Sequence, residues 1–195
     1  MKILLTLFVL LFSSSVLADD ISDFEIEGMS LGDSLLDYFS EDEINYERKQ
    51  VKLVDNEYFQ SVQFYKSDFL RTYDGIVLRY KKKENYKIYS ITGNIYYRYN
   101  ISECYEKKNL IVNELKNLFV NVETTNSVES HRADSSGKSK INMFTFLLKN
   151  GEQIQVSCND WSKEKESENW WDQLKVVIFS LDYMEYLDLI KREFY

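Results

Sequence analysis

The sequence predicts an α+β protein in which antiparallel sheet is packed by helices, in the order helix, three strands, helix, three strands, helix. Two observations carry this. Strand-like runs come in pairs closed by short polar turns, Lys83-Glu84-Asn85 and Asn150-Gly151, as antiparallel hairpins require. Stretches with apolar residues at helical spacing stand before, between and after these groups, each opened by a serine that can cap it. Tyr and Phe (15 and 12 residues) supply most of the aromatic content, and aromatic side chains on a half-buried sheet support a core without a metal.

The elements follow in order. Asp19 to Glu27 reads as an acidic, mostly extended lead-in. In GMSLGDSLLDYF, Ser30 and Asp33 form a capping-box-like pair, and Leu31, Leu35 and Tyr38 or Phe39 recur at helical spacing. Ser40 with Glu43 is a second S-x-x-E signal for a short helix. Strands are expected over Tyr58–Lys66, Ile76–Lys82 and Tyr86–Tyr99, with Gly93 marking a bulge or bend in the last. Ser102–Phe119 is the clearest helix: Ser102 caps it, and Cys104, Ile111, Leu115, Leu118 and Phe119 form its buried stripe. Thr124–Lys140 is polar and reads as a long, mobile, solvent-exposed loop without a catalytic group. INMFTFLLK, Asn150-Gly151 and EQIQVSC read as a hairpin on a type I′ turn. A charged loop from Asp160 to Asp172 carries Trp161, Trp170 and Trp171, mainly as packing beneath the loop. Leu174–Ser180 is a buried strand, and Ser180 caps a last helix bearing Tyr183, Leu187, Ile190 and Phe194 on one face. The similar element order of the two halves fits a tandem duplication, without residue-level self-similarity.

Residues 1–18, MKILLTLFVLLFSSSVLA, have the three parts of a signal peptide: Lys2, an apolar run from Ile3 to Phe12, and Val16 and Ala18 placed for cleavage after Ala18. The run is short of the roughly 20 residues a membrane span needs. Residues 19–195 are then expected as a single periplasmic or secreted α+β domain with no transmembrane segment. Removing Lys2 and no acid takes the formal charge from −8 to −9. That sign excludes nucleic acid as a natural partner. In an oxidising compartment the only two cysteines, Cys104 and Cys158, are expected to bridge.

Several motifs are weaker than they look. Gly137-Lys138-Ser139 has Arg132 where a phosphate loop needs its first glycine. Ser135 and Lys138 match an acyl-transferase spacing but sit in a polar stretch. His131 with Asp134 is the one acid–base pairing to consider, and a lone loop histidine is usually solvated. Asn100-Ile101-Ser102 fits a glycosylation sequon that a helix cap explains equally well. No metal-ligand spacing occurs, and the acids from Asp19 to Glu27 read as a solvated end.

Two resemblances arise at IEGMSLGDSLLDYF. The chain resembles uncharacterised exported proteins of AT-rich marine bacteria across most of its mature length: in the GMSxGDSLLDYF opening, in an I-x-G-x-I-x-Y strand from Ile91 to Tyr97, and in the positions of Cys104 and Cys158. That resemblance implies no function. Ile26 to Tyr38 is also similar to the SmpA/OmlA small lipoproteins and the beta-lactamase-inhibitor protein, where a G-M-[ST] helix start precedes an antiparallel sheet. The lipid-bearing cysteine of the lipoproteins is missing, since Asp19 follows the cut.

The sequence thus leads to a non-enzymatic exported protein, without cofactor or metal, that binds another protein or a cell-envelope component. The alternative is a small-ligand carrier with a Tyr/Trp-lined groove. Its candidate binding residues are His131, Arg132, Asp134, Trp161, Trp170 and Trp171, beside the disulfide cysteines.

Overall fold

Seven segments build one antiparallel sheet, and all but one carry apolar residues turned to a shared face. A computed structural model describes Ile21 and residues 24–50, 58–65, 68–98 and 100–194. The expected leader, Asp19, Asp20 and Asp23 lie outside these residues. Among the described residues the order is α1 (Glu41–Gln50), β1 (Gln60–Tyr65), β2 (Gly75–Lys81), β3 (Lys87–Tyr97), α2 (Ile101–Leu118), β4 (Glu123–Ser130), β5 (Lys140–Leu147), β6 (Gln153–Asp160), the short α3 (Lys163–Ser167), β7 (Asp172–Phe179) and α4 (Leu181–Phe194). The sheet order is β1-β2-β3-β7-β6-β5-β4. Two meanders meet where β3 pairs antiparallel with β7, Ile91 opposite Ile178 and Ile95 opposite Leu174.

The second meander has four strands where three were expected, so the two halves are unequal. The added strand, β4, occupies much of the segment read as a loop. It pairs with β5 over eight residues, from Glu123 opposite Leu147 to Ser130 opposite Lys140. Its sequence, ETTNSVES, shows no apolar alternation because it is an edge strand with neither face buried; backbone hydrogen bonds to β5 hold it, with side-chain bonds at Ser130.

One face of the sheet carries the core. Leu78, Ile91, Val156 and Ile178 lie on it, with Cys104, Val112 and Leu115 of α2 and Ile44 of α1 against them. A single bond ties the two layers: Cys104 of α2 and Cys158 of β6 form a disulfide with Cα atoms 6.0 Å apart. The helix stripe also contains Lys108, buried with its ammonium donating to the Asn142 side chain. Burial pushes that ammonium's pKa down. The helix is capped by Asn100 rather than Ser102: the Asn100 side chain accepts from the Glu103 N–H at 3.4 Å and donates to the Glu103 carboxylate at 2.6 Å. The sequon asparagine is thus spent on the cap.

Local signals succeeded and failed for identifiable reasons. The Ser40/Glu43 box forms as read, with the Ser40 N–H donating to Glu43 at 2.8 Å and opening α1. The Ser30/Asp33 pair forms too, at 2.8 Å, but closes a turn rather than a helix. The backbone N–H groups of Gly32 and Leu35 are drawn instead to the carbonyls of Ile88 and Tyr86. One 3₁₀ turn, Leu35–Asp37, follows, capped by Ser34. The lead-in is not merely solvated: Ile21 and Ile26 are buried, and Glu27 accepts the N–H groups of Arg71, Thr72 and Tyr73. The Asn150-Gly151 turn is longer than type I′. Gly151 alone is left-handed, at φ +85°, and its N–H donates to the Leu148 carbonyl. That is a type I turn followed by a left-handed glycine in a three-residue loop.

Gly93 does not mark the irregularity in β3, which falls opposite Arg79 and Tyr80. Its role is space: a Cβ there would lie 2.6 Å from the Tyr73 ring. Gly93→Ala is expected to cost about 1–3 kcal/mol, the range for overpacking a filled core, read as a lowered denaturation midpoint with unchanged m-value.

Candidate functional site

The other face of the sheet is built differently. Strand alternation puts Gln63, Arg79, Thr92, Asn94, Gln173 and Lys175 on it, opposite in parity to the core residues. Register brings them together across β1, β2, β3 and β7: Gln63 is opposite Val77, Val77 opposite Thr92, and Asn94 opposite Lys175. One end of this face is covered by α4, where Tyr183 packs on Phe59, Tyr89 and Phe179. As expected, Ser180 caps that helix, accepting from the Tyr183 N–H at 3.3 Å. The other end is roofed by the β6–β7 connection. Between them lies a groove of about 830 Å3.

Aromatic rings form its walls. On one side Tyr65, Tyr96 and Trp171 run in sequence, with centroids 6.4 and 5.9 Å apart. Gly75 makes this possible, because a Cβ there would meet the Tyr65 ring at 2.9 Å. The Arg98 guanidinium lies 4.0 Å over Trp171 and steadies it. On the other side Trp170 and Trp161 are in contact at 4.5 Å, and His131, which does not line the groove, packs on Trp161 at 4.0 Å. All three tryptophans of the chain therefore line one cavity. The expectation that they serve mainly as packing holds for Trp161, which is 4% exposed, and not for Trp170, which is 39% exposed.

The floor is cationic. Arg79 and Lys175 both line the groove. Among the described residues neither forms an ion pair with a carboxylate. Arg79 Nη1 is buried without a hydrogen-bond partner among the described residues, and so is the indole N–H of Trp161. Burial, reinforced by the Arg79 charge, pushes the Lys175 ammonium down. Two acids also touch the groove, and both are engaged: Asp74 accepts the Tyr96 N–H at 2.8 Å and Glu168 accepts from Lys165 at 2.7 Å.

The loop expected to be mobile is an ordered support for this roof. Asp134 is buried at its centre. One carboxylate oxygen accepts from Ser136 N and Oγ at 3.0 and 2.6 Å, and the other from Ser139 N and Oγ at the same distances. Ser139 Oγ in turn accepts the Ser162 N–H at 3.0 Å, tying the loop to the residue after Trp161. The serine donors hold the Asp134 carboxyl well below the usual range. His131 is not its partner. The histidine is half-buried on Trp161, its Nδ1 accepts the Ala133 N–H at 3.2 Å, and burial with the Lys175 charge lowers its pKa, so it is neutral near pH 7. Arg132 is exposed at the turn and does not line the groove. Asp134→Ala is expected to speed amide exchange across residues 131–139 while α2 and β6 stay protected.

Asp172, at the start of β7, anchors the roof from the other side by accepting the Trp161 N–H at 2.8 Å. Burial pushes its pKa up to about 6, and the nearby Asp160 carboxylate adds to the effect.

The sequence flagged the tryptophans and missed the floor. Arg79, Lys175, Gln63 and Asn94 had the signal of any solvent-facing strand residue. What makes them a site is the β3–β7 pairing, between segments about eighty residues apart, which no local pattern reveals. Among the described residues no group of three or more His, Cys, Asp or Glu could hold a metal, and no helix is long and apolar enough to cross a membrane. Comparison with protein-family models, with curated proteins and with solved structures finds no match.

Proposed function

We propose that this chain is a non-catalytic binding protein of an oxidising compartment such as the periplasm, and that its binding site is the aromatic groove on the polar face of the sheet. The observation that carries this is a recess of about 830 Å3 walled by Tyr65, Tyr96, Trp161, Trp170 and Trp171. That volume is in the range of small-molecule sites. A flat aromatic patch would have favoured a protein partner instead, so the carrier reading moves ahead. The disulfide supports export, since such bonds persist in oxidising compartments. The roof is held by backbone and serine contacts to Asp134 and Asp172, which fits a preformed site.

A protein or envelope partner is the second reading. The outer edge of β4 is unpaired among the described residues and exposes Val128, which is where an added strand would dock.

Intrinsic tryptophan fluorescence tests the first reading, because every tryptophan lines the groove. A panel of neutral and acidic oligosaccharides and aromatic acids should include compounds that change emission saturably and raise Tm. If none does, and a stable complex with a protein is isolated instead, the groove reading fails and the edge reading takes its place.

A further inference from the structure

We infer that the groove takes an acidic carbohydrate, with a ring carboxylate on the cationic floor and the sugar faces against the aromatic walls; this rests on the ligand-groove reading above. Three features converge on it. The first is charge. Arg79 and Lys175 share the groove, burial together with the Arg79 charge disfavours the Lys175 ammonium, and neither forms an ion pair among the described residues. Two half-buried like charges in one recess without a counterion are unfavourable unless an anion joins them. The second is hydrogen-bond polarity. Two side chains that line the groove each carry a buried polar atom without a partner among the described residues, and both atoms are donors, Arg79 Nη1 and the Trp161 indole N–H. A ligand that satisfies both must present acceptors there. A guanidinium offers a carboxylate two parallel donors. The third is the rest of the lining. Gln63, Thr92, Asn94 and Gln173 are amides and a hydroxyl, able both to donate and to accept. That is what sugar hydroxyls require, whereas a purely aromatic acid would leave these groups unpaired. Tyr96, Trp170 and Trp171 present ring faces for the apolar C–H faces of a pyranose.

The acids at the rim agree with this arrangement. Asp74 and Glu168 are held by a backbone N–H and by Lys165, so they leave the two floor cations available to the ligand. Net negative charge over the whole chain, −8, makes the local cationic floor a selective feature rather than part of a general basic surface.

The test is a fluorescence and calorimetric titration with trigalacturonate, its fully methyl-esterified form, and an Asp/Glu-rich peptide. Wild-type protein should bind trigalacturonate at least tenfold more tightly than the ester, with affinity falling as salt rises. Arg79→Gln and Lys175→Gln should each weaken it tenfold or more, and Trp170→Ala should weaken both sugars. Melting curves of the three variants, measured alongside, separate lost binding from lost folding. Equal binding of the acid and the ester, unchanged by either charge substitution, overturns the acidic-ligand inference and leaves the groove reading standing. Binding of the peptide alone overturns both. No binding of either sugar, with some other small molecule from the fluorescence panel binding in the groove, overturns the inference only.

Discussion

Cys104→Ser is expected to destabilise the oxidised protein by about 4 kcal/mol, the chain-entropy value for a loop of 54 residues. For a domain of this size that is roughly a 10 °C fall in Tm. The bond joins α2 to β6 across the core, and both cysteines are fully buried, so its loss frees the unfolded chain from a closed loop without exposing new surface in the native state. Under strong reductant the wild type and the variant should melt together. A variant that melts with the wild type under oxidising conditions would contradict this role for the disulfide.

The second large effect has the opposite sign. Asp172 is buried, and its folded pKa of about 6 lies above the ordinary aspartate value of 3.8. The folded state therefore binds a proton more tightly than the unfolded one. Stability from this group is fully present below about pH 4, falls as pH rises toward 6, and is flat above. Asp172→Asn keeps an oxygen for the Trp161 N–H and removes the charge. It is expected to stabilise the protein by about 2–3 kcal/mol at pH 8 and by little at pH 4. Asp134 works the other way: its lowered pKa adds stability above the ordinary carboxylate range that is lost in acid. The two single-site difference curves against pH should thus slope in opposite directions. A pH-independent effect of Asp172→Asn would contradict the buried, charged aspartate described above.

This aspartate under the roof of the groove costs stability, and it was invisible in the sequence, where Asp172 looks like one more acid in a charged loop. What the sequence did show follows from local physics. α2 and α4 were legible because their apolar stripes repeat at helical spacing. The strands β1, β2, β3, β5, β6 and β7 were legible because one parity on each faces the core. The disulfide followed from compartment and from two apolar contexts. β4 was hidden because an edge strand exposed on both faces needs no apolar pattern. The Ser30 helix was misread because a capping pair serves a turn as well as a helix, and Ile88 and Tyr86 compete for the backbone. Thr124–Lys140 is exposed along most of its length, as read, but the hydrogen bonds that hold its second half converge on Asp134 and leave no apolar pattern to read. The floor of the groove depends on Arg79 of β2 and Lys175 of β7 lining one recess with β3 between their strands, a product of topology alone.

The groove is the centre of this account, and side-chain NMR addresses it most directly. A 15N-labelled sample resolves the three indole N–H groups and the side-chain amides of Gln63, Asn94 and Gln173. Titration with trigalacturonate is predicted to shift the Trp161, Trp170 and Trp171 indole resonances together with those amides, with the Trp161 indole moving downfield as it gains an acceptor, while β4, β5 and α2 stay still. Shifts confined to the β4 edge would contradict the groove reading, and no shift at any of the three indoles would contradict the acidic-sugar inference built on it.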